Sequence, residues 1–113
     1  MAKSDYESQF KLCPKFQKTF SILGRKWSGL ILEVLISEGP QRFKEISEKV
    51  SKCSDRVLVE RLKELEEEKL VEKVPSNTCR NMYQLTPRGE DLKAVMDSIH
   101  DWADKWYSLE DCK

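Results

Sequence analysis

Two sets of residues in this chain could do chemistry. The first is its four cysteines, Cys13, Cys53, Cys79 and Cys112. A thiol reacts as its thiolate, and the thiolate is favoured near positive charge or at a helix N-terminus. Cys13 has Lys11 and Lys15 beside it, and Pro14 marks the start of a helix. Cys53 and Cys112 lack that combination, and Cys79 stands next to Arg80 in a turn-rich stretch. On the residues alone, a thiol packed under the N-terminal helix explains Cys13 as well as a reactive one does. No CxxC pair occurs and His100 is the sole histidine, so neither a metal site nor a catalytic pair has local support. No cofactor and no enzyme activity is expected.

The second set is polar and basic. Ser54-Asp55-Arg56, with Val59 a turn later, is a small polar cluster at the start of a Leu-rich helix. An arginine there can hold a guanine edge through two hydrogen bonds. A solvated charged face is the plainer reading of such a helix alone. Lys44, Lys49 and Lys52 flank the preceding turn and can reach phosphate. Lys73 and Arg80 sit on either side of Pro75-Ser76-Asn77-Thr78, where an arginine can enter a narrow minor groove or simply decorate a surface turn.

The elements that position these residues follow from spacing. Residues 1–12 read as a polar leader. Phe16, Phe20 and Leu23 recur at helical spacing until Gly24. Trp27, Leu30, Ile31, Val34 and Leu35 predict a buried helical stripe that stops at Gly39-Pro40. Phe43, Ile46 and Val50 predict a short helix over about 42–49. Ser54 is a candidate N-cap for the next helix, whose apolar face is Leu58, Leu62 and Leu65. Residues 42–69 thus read as a helix-turn-helix and 70–85 as a β-hairpin wing. Thr86-Pro87 opens a last helix over 87–107, with Leu92, Val95, Met96, Ile99, Trp102 and Trp106 along one side. The fold class is mainly α with a small hairpin: a winged helix-turn-helix.

The last helix has more apolar surface than one small core can cover. Its tryptophans favour a second subunit, since large aromatics anchor interfaces. A homodimer also suits DNA, because two recognition helices address two half-sites.

At 113 residues the chain is one domain, 1–113, with a charged fraction of 35% and a net charge of zero. The charge is uneven: residues 1–27 carry +4 and residues 90–113 carry −4. DNA responds to the local patch, although a neutral total weakens non-specific binding. No apolar stretch suggests a signal peptide or a membrane span, so a cytoplasmic location without membrane attachment is expected.

Several motifs together resemble the HxlR-type winged-helix regulators, a MarR-related group. They are Cys13-Pro14, Gly24-Arg25-Lys26-Trp27, Arg42-Phe43-Lys44-Glu45-Ile46, the run Arg61 to Glu66, and Tyr83-Gln84-Leu85-Thr86-Pro87-Arg88-Gly89. The likeness spans about residues 10–107. It implies a homodimeric, cytoplasmic transcriptional regulator, a repressor or an activator, that binds palindromic double-stranded operators. It also implies sensing of electrophiles or oxidants at Cys13, where many relatives carry a sensor cysteine. Cys112, just past the dimer helix, is a candidate partner for an intersubunit disulfide. The chain departs from the family at the wing tip, Asn77-Thr78-Cys79 in place of a Pro-rich segment, and at Met82 in place of a Glu. The competing functional reading is a winged-helix protein-interaction module without DNA binding, which the neutral charge would suit.

Overall fold

In the computed structural model, which describes residues 10–75 and 81–113, the core forms around Ser28–Glu38 (α2). Pro14–Leu23 (α1) precedes it, with proline pre-set for the first helical turn. Gly24 ends α1: its amide donates to the Phe20 carbonyl at 2.9 Å, and a Cβ there would lie 2.7 Å from the same oxygen. Trp27, at φ 78°, takes the left-handed conformation that L-residues avoid, and α2 starts at Ser28.

The buried stripe of α2 differs from the sequence expectation. Ile31, Leu32 and Leu35 are buried, Val34 is half-buried and Leu30 is 55% exposed. The helix is apolar nearly all round, so periodicity could not say which side meets the core. That side packs against α3, α4 and the sheet.

After Gly39 come a two-residue strand, Gln41–Arg42 (β1), and Phe43–Lys49 (α3). Glu45 Oε1 accepts from the Arg42 amide at 2.8 Å and fixes the helix start. Asp55–Glu67 (α4) is capped as expected: Ser54 Oγ accepts from the Val57 amide at 3.2 Å. Leu58, Leu62 and Leu65 are its buried face. Val71–Pro75 (β2) and Asn81–Leu85 (β3) form the antiparallel hairpin, paired from Val71↔Leu85 to Pro75↔Asn81. β1 adds to the other edge of β3, giving the order β1-β3-β2. Sequence reading missed β1, since two residues show no alternation.

The final helix is not one piece. Pro87–Glu90 (α5) is a single turn, and Leu92–Trp106 (α6) follows after Asp91. Thr86 Oγ1 accepts from the Gly89 amide at 3.0 Å and donates to the Lys69 carbonyl at 2.6 Å. α5 is therefore docked on the base of the hairpin before the chain turns into α6. A short 3-10 turn, Glu110–Cys112, ends the chain. Ile46, Val50, Cys53, Leu70 and Val71 complete the core with the α2 and α4 residues. The radius of gyration is 17.2 Å, against about 13 Å for a compact domain of this length. Neither α1 nor α6 contains a buried residue.

Candidate nucleic-acid interface

α4 presents three faces. Leu58, Leu62 and Leu65 turn to the core. Arg61, Glu64 and Glu68 turn toward α1: Arg25 lies 3.0 Å from Glu64 and Lys18 3.0 Å from Glu68. Arg56, Val59 and Lys63 are exposed. This outward face begins where a recognition helix would meet base edges. The Arg56 side chain is 84% exposed and lies 3.9 Å from Glu60, a loose pair one turn away. Val59 is 54% exposed. Asp55 is held from behind, accepting from Ser47 Oγ of α3 at 2.7 Å. That bond ties the two helices of the motif together. Ser54 spends its hydroxyl on the cap, and Lys52 is exposed in the turn.

Beside this face runs a basic, aromatic cleft lined by Arg42, Phe43, Lys44, Lys73, Asn81 and Tyr83. A second hollow, lined by Val59, Lys63, Glu66, Glu67, Lys73 and Tyr83, joins it to α4. Lys73 Nζ stands 5.9 Å from the centre of the Tyr83 ring. Burial raises the Tyr83 phenol above its ordinary pKa, with Glu66 adding to the effect, so it stays a neutral hydrogen-bond donor. Among the described residues, Arg42, Lys44, Lys63 and Lys73 have no acidic partner within ion-pair distance. Arg42, Lys63, Asn81 and Tyr83 were not among the residues singled out from sequence. Arg42 heads the Arg42-Phe43-Lys44 motif, but only the pairing of β1 with β3 puts it opposite the wing. Arg80 and the Asn77–Cys79 tip lie outside the described residues.

The other selected residues are spread along the terminal helices. On α6, Leu92 and Met96 pack against the core, whereas Val95, Ile99, Trp102 and Trp106 are 45–63% exposed. The apolar side of α6 thus divides into two stripes about 70° apart. α1 carries Phe16 and Phe20 in contact with one another, 59% and 56% exposed. Cys13 is exposed at the N-cap of α1, and Cys112 is exposed in the last turn. Cys53 is buried, and desolvation raises its thiol pKa. His100 Nε2 is 2.7 Å from Glu33, linking α6 to α2. Among the described residues no cluster of His, Cys, Asp or Glu could hold a metal ion. No described helix is long and apolar enough to cross a membrane.

The HxlR-like helix-turn-helix family matches residues 22–111. The HTH-type transcriptional regulator YodB of Bacillus subtilis is 44% identical over 97 residues, which is 84% of this chain and 86% of YodB. The crystal structure of quinone-bound YodB covers 84% of this chain and 100% of its own, with a TM-score of 0.75 and 44% identity. Diamide-treated YodB superposes at a TM-score of 0.69 with 42% identity, over 88% of this chain and 99% of its own. The redox regulator HypR in its oxidised form reaches a TM-score of 0.74 at 26% identity, over 85% and 99% of the two chains. The three-stranded sheet, the helix-turn-helix with its exposed α4 face and these likenesses agree: the chain belongs to the HxlR-like helix-turn-helix family of transcriptional regulators.

Proposed function

We propose that this protein is a homodimeric, sequence-specific DNA-binding repressor whose grip on its operator is set by the thiol of Cys13. The observation that carries the reading is the α4 face of Arg56, Val59 and Lys63 beside Arg42, Lys44 and Lys73, cations with no acidic partner among the described residues. Arg56 reads a base edge, Lys44, Lys52 and Lys73 hold phosphates, and Ser54 and Asp55 set the entry of α4. Arg80 is the wing residue for the minor groove.

The second copy covers the α6 stripe of Val95, Ile99, Trp102 and Trp106. Two recognition helices then meet a palindromic site. Cys13 is exposed at the N-cap of α1, where an oxidant or electrophile can reach its sulfur. A quinone takes this sulfur by addition at a ring carbon and becomes a hydroquinone thioether. With diamide, the Cys13 thiolate adds to the N=N bond. The Cys112 thiolate of the second copy then displaces the hydrazine, so two electrons pass from two thiols to the azo group.

A duplex pool selected from random sequence by the reduced protein tests the core of this reading. Selection of one palindromic motif is expected. Arg56→Ala should relax preference at one position per half-site, a loss of about 1–3 kcal/mol of discrimination. Lys73→Ala should lower the salt slope by about one contact per subunit without changing base preference. Failure to enrich any duplex would favour a protein-interaction module, the reading that the net charge of zero also suits.

A further inference from the structure

α1 contains no buried residue, yet among the described residues one polar link from α1 and two from the 24–27 turn after it reach the recognition helix and its C-cap Glu68. Lys18 Nζ is 3.0 Å from Glu68. Arg25 Nε is 3.0 Å from Glu64. Arg61 Nε donates to the Lys26 carbonyl at 2.9 Å, and its Nη1 is 3.5 Å from Glu64. The Arg61 side chain is only 13% exposed, so the guanidinium is wedged between α4 and the 24–27 turn.

The turn itself is stiff. Arg25 donates to the Ile22 carbonyl at 3.3 Å and Ser28 to the Arg25 carbonyl at 3.1 Å. Gly24 has no room for a side chain and Trp27 is held left-handed. A displacement of α1 would then be passed on to α4 rather than taken up in the turn. Glu64 and Glu68 lie on a different face of α4 from Arg56 and Val59. The link therefore acts on the helix as a body, and Glu60, 3.7 Å from Arg61 and 3.9 Å from Arg56, joins it loosely to the reading face.

We propose that Arg25, Glu64 and Arg61 form a strut that carries the state of the Cys13 thiol to the recognition helix. This rests on the thiol reading above and names the route by which it reaches DNA. Arg25, Glu64 and Arg61 are positioning residues, acting through α4. Exposed ion pairs add little to stability. Their role here is to make two elements move together.

The test uses full-length Arg25→Gln, Glu64→Gln and the double variant, with Glu33→Gln as the control. Glu33→Gln removes the charge from the α6–α2 link to His100 instead. Each protein is measured with and without diamide for affinity to the selected duplex. Cys13 labelling is read by mass spectrometry, and amide exchange at Gly24, Arg25 and Ser28 by hydrogen–deuterium exchange. Reduced affinity and Cys13 labelling should match the parent in every variant. Diamide should weaken the parent and Glu33→Gln by about tenfold or more, but the strut variants by less than about threefold. The double variant should be no worse than either single, as partners in one link are non-additive. Amide exchange in the 24–28 turn should quicken only in the strut variants.

Full diamide release in Glu64→Gln despite quickened exchange would overturn the strut. So would equal loss of release in Glu33→Gln, or weakened binding of the reduced Glu64→Gln protein. Failure of the thiol reading looks different: Cys13→Ser would release DNA as the parent does, or the parent would ignore diamide. Either result removes the strut's signal with it.

Discussion

α4 and α6 are both amphipathic helices of similar length, and they meet opposite fates. Leu58, Leu62 and Leu65 of α4 are buried almost completely within the monomer. α6, with larger side chains, buries none of its residues and leaves Trp102 and Trp106 more than half exposed. The difference lies in what the chain folds around them. α4 is packed by α2 and β2, whereas α6 leaves the sheet after one docked turn and meets the core only through Leu92 and Met96. An apolar face completed by the chain itself specifies a fold. One left open is a surface that a partner can cover.

The contrast can be broken most severely at α4. Leu62→Ala should destabilise the protein by about 2–5 kcal/mol, since it opens a cavity where the surroundings cannot collapse. Urea unfolding followed by circular dichroism gives the value. Trp102→Ala with Trp106→Ala should leave the helix-turn-helix folded but cost the proposed dimer about 2 kcal/mol or more per anchor. Sedimentation velocity should show a well-folded monomer at micromolar concentration. A variant that stays dimeric would shift the interface from α6 to α1 and its paired phenylalanines. Ser54→Ala should have the smallest effect, about 1 kcal/mol from the lost cap. Hydrogen exchange at Val57 should reveal it as fraying confined to the first turn of α4.

Much of this was legible in the residues. Gly39-Pro40, Ser54 and Thr86-Pro87 act through local backbone chemistry, and each cap or break falls where the sequence puts it. Leu58, Leu62 and Leu65 carry a clean helical period, so their burial could be read directly. What escaped was set by contacts distant in sequence. Leu30 and Leu32 of α2 are equivalent by composition, and only the placement of α3 and the sheet buries Leu32 and exposes Leu30. Arg42 becomes part of the basic cleft only through pairing of β1 with β3. Within the acidic run after Leu62, Glu64 and Glu68 meet Arg25 and Lys18, absorbing part of the positive charge of the N-terminal region.

Gly89 has a mechanical meaning for the whole molecule. A Cβ at this position would lie 2.1 Å from the Leu70 carbonyl oxygen, so even a methyl group would push α5 off the hairpin. α6, with 15 residues, is a lever about 22 Å long whose fulcrum is that contact. A tilt of about 10° at the fulcrum would swing Trp106 through about 4 Å, roughly the length of a residue step along an extended chain. The absence of one carbon atom thus sets the aim of a helix whose far end lies several turns away.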